Sequence, residues 1–153
     1  MKIEEILMEK YGMEIPTPAA PVGLYVPVTQ TGNLVYVSGQ TPTKEGKLVY
    51  SGRLGEELTI EQGQEAARLA ILNCLALLKA YLGDLDRVKQ FVQLIGYVRS
   101  AENFGDQPTV MNGASGLLLD LFGERGRHSR LALGTNELPG GAPVEVTFIV
   151  EIR

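Results

Sequence analysis

Two ionised side chains near the end of this 153-residue chain stand in otherwise apolar, strand-like segments. Arg130 begins the run RLALGT, and Glu145 begins the run EVTFIVEI. An arginine presents a planar fork of N–H donors that holds a carboxylate through two parallel hydrogen bonds. A carboxylate such as that of Glu145 can orient or deprotonate a water molecule. The pair therefore suggests a site that binds a carboxylate and activates water, while two solvated strand ends or a structural ion pair would give the same pattern.

The separation of these two side chains depends on how their strands are connected. In a simple hairpin of the two final strands, at about residues 128–135 and 144–152, the charges would lie at opposite ends, roughly 15 to 20 Å apart. The connection at residues 137–143 is longer than a usual hairpin loop. We therefore predict that non-adjacent strands or two copies of the chain bring Arg130 and Glu145 together.

Hydrophobic periodicity and turn residues predict the elements that must position this pair. Helices are predicted at residues 2–11, from the capping box at 59–62 to about 82, and from Asp106, as a capping side chain, to about 122. Besides the final two strands, strands are predicted at 24–30, 34–38, 47–50 and 88–99, the last as a central strand covered on both faces. This order predicts an α+β fold with a mixed sheet, two helices on one face and a short N-terminal helix.

The length and composition predict one compact domain at residues 22–153, preceded by the N-terminal helix and a Pro-rich tether at 1–21. The net charge of −4 comes from interspersed acids and bases, so we expect no nucleic-acid partner. With one cysteine, Cys74, and one histidine, His128, a His/Cys metal site cannot form within one chain. We also expect no membrane span and no export signal, and therefore a soluble cytoplasmic protein.

Three groups of residues resemble the motifs of a known family. They are GLYVP at residues 23–27, GNLVYVSGQTP at 32–42, and an ending in R…LP…VE formed by Arg130, Leu138, Pro139, Val144 and Glu145. Over about residues 23–152 the chain is similar to the Rid (YjgF-type, endoribonuclease L-PSP-like) family of reactive-intermediate deaminases. Arg130 and Glu145 keep the spacing of fifteen residues that the family has.

The resemblance implies a chorismate-mutase-like fold, a homotrimer with clefts between subunits, and no cofactor. It also implies hydrolysis of enamines and imines, such as 2-aminoacrylate, to 2-keto acids and ammonia. Arg130 would hold the substrate carboxylate and Glu145 would position the attacking water. Tyr25 would close the cleft, and Gly39 and Asn112 would line it.

Other interpretations compete at several of these residues. His128 lies two residues before Arg130 and is a candidate substrate contact, or else a structural or rim histidine. Tyr25 fits a packing role and Asn112 a helix cap equally well. Cys74 is expected to be a buried core thiol, and Ala132 stands where the best-studied branch of the family has a cysteine.

Two other functions also fit the sequence. One is a non-catalytic binding or regulatory module for a small carboxylate metabolite. The other is an endoribonuclease or translation inhibitor, against which the acidic charge balance argues.

Overall fold

The computed structural model describes residues 2–18, 20–21 and 23–153. Its helices are α1 (Ile3–Tyr11), α2 (Ile60–Leu82) and α3 (Gln107–Phe122). Its strands are β1 (Val28–Thr31), β2 (Leu34–Val37), β3 (Thr43–Lys44), β4 (Lys47–Leu48), β5 (Val88–Arg99), β6 (Ser129–Thr135) and β7 (Val144–Ile152). The predicted domain boundary falls at Val22, which lies outside the described residues.

Five strands form one mixed sheet in the order β1-β2-β7-β5-β6. The long strand β5 runs parallel to β6 on one side and antiparallel to β7 on the other. The two final strands are therefore not a hairpin, because β5 lies between them. The prediction that the long connection at residues 137–143 joins non-adjacent strands is therefore confirmed.

Helices α2 and α3 cover one face of this sheet. Strand residues on that face are fully buried, including Leu94, Val98 and Phe148, and they join α2 and α3 side chains in a single hydrophobic cluster. We call the opposite face the open face. It carries large apolar side chains that are 41 to 47% exposed in one chain, namely Tyr36, Tyr97, Leu131 and Leu133. The α+β architecture with two helices on one face is thus confirmed.

The helix boundaries agree closely with the predicted ones. Thr59 and Gln62 form the predicted capping box at the start of α2, and the left-handed Gly12 ends α1. In α1, Ile3 and Leu7 are buried in the same hydrophobic cluster as the side chains of α2 and α3. Cys74 is buried as predicted, and burial raises the pKa of its thiol.

The structure corrects four local predictions. Strand β1 begins at Val28, not at residue 24, because residues 23–25 form a bend. The third strand is not part of the main sheet, since β3 and β4 form a separate two-stranded hairpin. Asp106 stands before α3 but makes no side-chain capping hydrogen bond. Strand β5 is interior, but β7 is the central strand, and helices cover only one face of β5.

Candidate functional site

The guanidinium of Arg130 is held by three hydrogen-bond acceptors on α3. Nη1 donates to the side-chain oxygen of Asn112 at 2.9 Å and to the hydroxyl oxygen of Ser115 at 3.1 Å. Nη2 donates to the backbone carbonyl of Pro108 at 3.2 Å. A guanidinium has five N–H donors, so Nε–H and one N–H of Nη2 have no partner in the described part of the chain. Donors that remain on a planar guanidinium can pair with the oxygens of a carboxylate.

His128 joins the same cluster through Ser115. Its Nδ1 lies 2.6 Å from the carbonyl oxygen of Gly126, and its Nε2 lies 2.9 Å from the Ser115 hydroxyl oxygen. A carbonyl oxygen can only accept, so Nδ1 carries the proton in the neutral ring and Nε2 is left as an acceptor. The Ser115 hydroxyl therefore donates to Nε2 and keeps lone pairs for Arg130. We name Arg130, Asn112, Ser115 and His128 the arginine half-site.

Glu145 lies at the start of β7 with its side chain against Gly39. It is half-buried, and it forms no side-chain hydrogen bond or ion pair within residues 2–18, 20–21 and 23–153. Burial raises the pKa of its carboxyl group. A Cβ atom added at Gly39 would lie 2.5 Å from Oε2 of Glu145, so glycine leaves the space that this carboxylate occupies. A raised pKa and the absence of a partner are properties of a carboxylate that transfers protons.

Tyr25 precedes a segment that two hydrogen bonds from Ser38 hold in place. The Ser38 hydroxyl donates to the carbonyl of Val26 at 2.7 Å, and the Ser38 amide donates to the carbonyl of Pro27 at 2.9 Å. These bonds hold the segment after Tyr25 beside the residue that precedes Gly39. The Tyr25 ring is 48% exposed. We name Glu145 and Gly39 the glutamate half-site.

The two half-sites lie on opposite faces of the sheet. On β5, Leu94 is the partner of Arg130 and Tyr97 is the partner of Glu145. Leu94 is buried under the helices, whereas Tyr97 points to the open face. The strand spacings put the two Cα atoms about 14 Å apart. The structure therefore brings Arg130, Asn112 and His128 together and sets Glu145 against Gly39, and it does not join these two groups within one chain.

A cavity of about 580 Å³ lies between α1, the residues that follow it and the β3–β4 hairpin, and none of the six predicted residues lines it. In the part of the chain that the structure describes, no three His, Cys, Asp or Glu side chains are arranged to hold a metal ion. Among the same residues, no helix is long and apolar enough to cross a membrane.

Two contributors to the arginine half-site were not found from the sequence. Ser115 follows Asn112 by three residues on α3, so both side chains lie on one helix face. The three-residue spacing from Asn112 was the signal from which Ser115 could have been predicted to contact Arg130. The Pro108 carbonyl had no signal, because any residue type supplies a backbone oxygen.

The protein has a mixed sheet with two helices on one face. Its edge strand β6 carries the arginine, and its inner strand β7 carries the half-buried glutamate. This is an α+β protein of chorismate-mutase-like fold. The family model described as "YjgF/chorismate mutase-like, putative endoribonuclease" matches residues 5–151. The chain belongs to this family.

Individual relatives agree with this assignment. Protein TCP17 of Trypanosoma cruzi is 44% identical over 147 residues, which cover 95% of this chain and 92% of that protein. The crystal structure of Atu1372 from Agrobacterium tumefaciens is 43% identical with a TM-score of 0.92, and the match covers 99% of this chain and 92% of that one. A Shewanella oneidensis structure with the same endoribonuclease description is 38% identical with a TM-score of 0.95, covering 99% and 100%.

Proposed function

We propose that this protein hydrolyses reactive imines and enamines of the 2-aminoacrylate type to 2-keto acids and ammonia. The observation that carries the proposal is the donor capacity that remains on Arg130. Asn112, Ser115 and Pro108 engage three of its five N–H donors, and two donors remain that a carboxylate could accept from. The compounds in this class all carry a carboxylate next to the reacting carbon.

The proposed reaction needs one group that exchanges a proton with water, and Glu145 is our candidate. An enamine first gains a proton from solvent at its terminal carbon and becomes the protonated imine. Glu145 then takes a proton from a water molecule as the water oxygen bonds to the imine carbon, and it returns that proton to the nitrogen of the resulting carbinolamine. The C–N bond breaks as the hydroxyl group loses its proton to solvent, and the keto acid and ammonia leave. The raised pKa of Glu145 favours this role, because a carboxyl group whose pKa is closer to neutral pH both accepts and returns protons.

Because the two half-sites face opposite sides of the sheet, the proposal places the site between two copies of the chain. Arg130 and Asn112 of one copy would face Glu145, Gly39 and Tyr25 of the next. The exposed side chains Tyr97, Leu131 and Leu133 on the open face give such copies an apolar surface to bury. We propose a cytoplasmic homotrimer, as the family resemblance implies, with a mass of about 50 kDa from three chains of 16.6 kDa.

Activity is tested with an assay in which a second enzyme generates 2-aminoacrylate in solution and keto-acid formation is followed. We expect Arg130→Ala and Glu145→Gln each to lower kcat/KM by about 100-fold or more. The controls are Arg127→Ala, which removes an exposed arginine paired with Glu124, and Glu151→Gln, further along β7. No acceleration by the wild-type protein, or full activity in Arg130→Ala, contradicts the proposal.

The placement of the site between copies is tested by mixing two inactive variants. In oligomers assembled at random from Arg130→Ala and Glu145→Gln chains, about a quarter of the interfaces pair an intact Arg130 with an intact Glu145. We therefore expect co-refolded mixtures to recover about a quarter of the wild-type activity. A mixture that stays inactive refutes a shared site. Stabilisation of the protein by 2-keto acids without turnover indicates the binding-module function instead.

A further inference from the structure

We infer that Ser115 and His128 are positioning residues that orient Arg130 for a carboxylate. The inference rests on the proposed function, because it concerns how the same site recognises its ligand. Neither residue needs to touch the ligand. Their contacts form a chain that starts at a backbone carbonyl and ends at the guanidinium.

The first step fixes the histidine. The 2.6 Å contact between His128 Nδ1 and the Gly126 carbonyl determines which ring nitrogen carries the proton. Gly126 is held close to α3, because a Cβ atom added there would overlap the Leu118 carbonyl. The carbonyl that selects the tautomer is therefore part of a tightly packed turn. Nε2 of His128 consequently faces Ser115 as a fixed acceptor.

The second step fixes the serine. A serine hydroxyl rotates freely and can serve as donor or acceptor. When it donates to His128 Nε2 at 2.9 Å, its lone pairs turn toward Arg130, and Nη1 donates to it at 3.1 Å. The hydroxyl cannot then compete with the guanidinium as a donor toward an incoming carboxylate.

The third step fixes the arginine. With Nη1 shared between Ser115 and Asn112, the guanidinium plane cannot rotate without breaking a hydrogen bond. Its remaining donors are therefore held in fixed directions. Two fixed donors favour a carboxylate over a carboxamide, since a carboxamide offers one acceptor oxygen beside an NH₂ group that only donates. Ser115 and His128 thus help to determine specificity without taking part in the reaction.

The inference is tested by kinetics of single and double variants. Ser115→Ala removes a hydrogen bond to Arg130, and His128→Phe removes the acceptor that orients the Ser115 hydroxyl. Each variant is expected to raise KM about three- to tenfold with little change in kcat. Because His128 acts through Ser115, the double variant should resemble Ser115→Ala alone. Ser115→Thr and His128→Gln keep an acceptor and should recover most of the affinity. Ser129→Ala is the matched control, because that exposed hydroxyl donates to Val92 instead.

A second measurement separates this inference from the proposed function. Restricted rotation of the Arg130 guanidinium is visible by NMR as separate Nη resonances, and we expect them to merge in Ser115→Ala and His128→Phe. That readout needs folded protein but no turnover. An inactive wild-type protein with restricted Arg130 rotation would refute the proposed function and leave the positioning intact. Unchanged KM and unchanged Arg130 rotation in both variants, or additive effects in the double variant, would overturn the inference.

Discussion

Replacing Gly39 by alanine tests whether the position of the Glu145 carboxylate matters for function. The added methyl carbon would lie 2.5 Å from Oε2 and 3.3 Å from Cδ of Glu145. Ordinary contact requires about 3.5 Å, so the carboxylate must move by about 1 Å. The obstructing atoms belong to the end of a flexible side chain, and the cost in unfolding free energy should stay below about 1 kcal/mol. A displacement of this size at a reacting group can reduce the rate about 100-fold.

The measurement compares the aminoacrylate assay with urea unfolding for the same proteins. Gly39→Ala should lose about 100-fold in kcat/KM while its stability stays close to that of the wild type. In the Glu145→Gln background, the same substitution should have little further effect on activity, because the displaced group has already lost its function. Gly105→Ala is the control, since nothing lies within 4 Å of its added Cβ atom. Full activity of Gly39→Ala, or a loss of several kcal/mol in stability, would refute this reasoning.

Three other predictions follow from the packing and the pKa shifts. Burial raises the pKa of Glu145, so the ionised carboxylate lowers the free energy of unfolding. Glu145→Gln should therefore be more stable than the wild type at neutral pH, as measured by urea unfolding. The difference in stability should shrink when the measurement is repeated at a pH below that pKa. Burial and the hydrogen bond to Asp120 raise the pKa of Tyr11 to about 12, so wild-type stability should fall more than that of Tyr11→Phe as pH rises from about 10 to 12. Gly113→Ala would place a methyl group on a backbone carbonyl of α2 and should cost about 3 kcal/mol or more in unfolding free energy. Gly116→Ala, whose added Cβ atom meets no atom of the described residues within 4 Å, should add up to about 1 kcal/mol. Both are measured by thermal unfolding.

The elements that sequence could predict are those whose signals are local. The capping box at Thr59, the left-handed Gly12 and the apolar stripe of α2 each depend on residues within one or two turns. The short strands were predicted less well for the same reason. Residues 24–27 have strand-forming side chains, but Pro27 lacks the N–H that a ladder needs, and the chain joins the sheet only at Val28.

The site could be predicted only in part, because its geometry depends on long-range topology. The types and spacing of Arg130 and Glu145 indicated two chemical groups. The strand β5 determines which face of the sheet each side chain occupies. Its residues Leu94 and Tyr97 pair with Arg130 and Glu145, and because they are three residues apart they point to opposite sides. No local pattern contains that register. Ser115 was missed because its role exists only once α3 has been placed beside β6.

The placement of α3 in turn depends on residues that take no part in the chemistry. At Gly113 the helix backbone meets Gln64 of α2, and at Gly96 the strand beneath leaves room for Met111. Asn112 and Ser115 flank these points on the same helix, so the small residues set the depth at which both side chains approach Arg130. A larger residue at Gly113 would push α3 outward and lengthen the contacts at 2.9 and 3.1 Å that orient the guanidinium. The close approach of helix to helix and of helix to sheet is therefore a condition for the carboxylate site, and not only for a filled core.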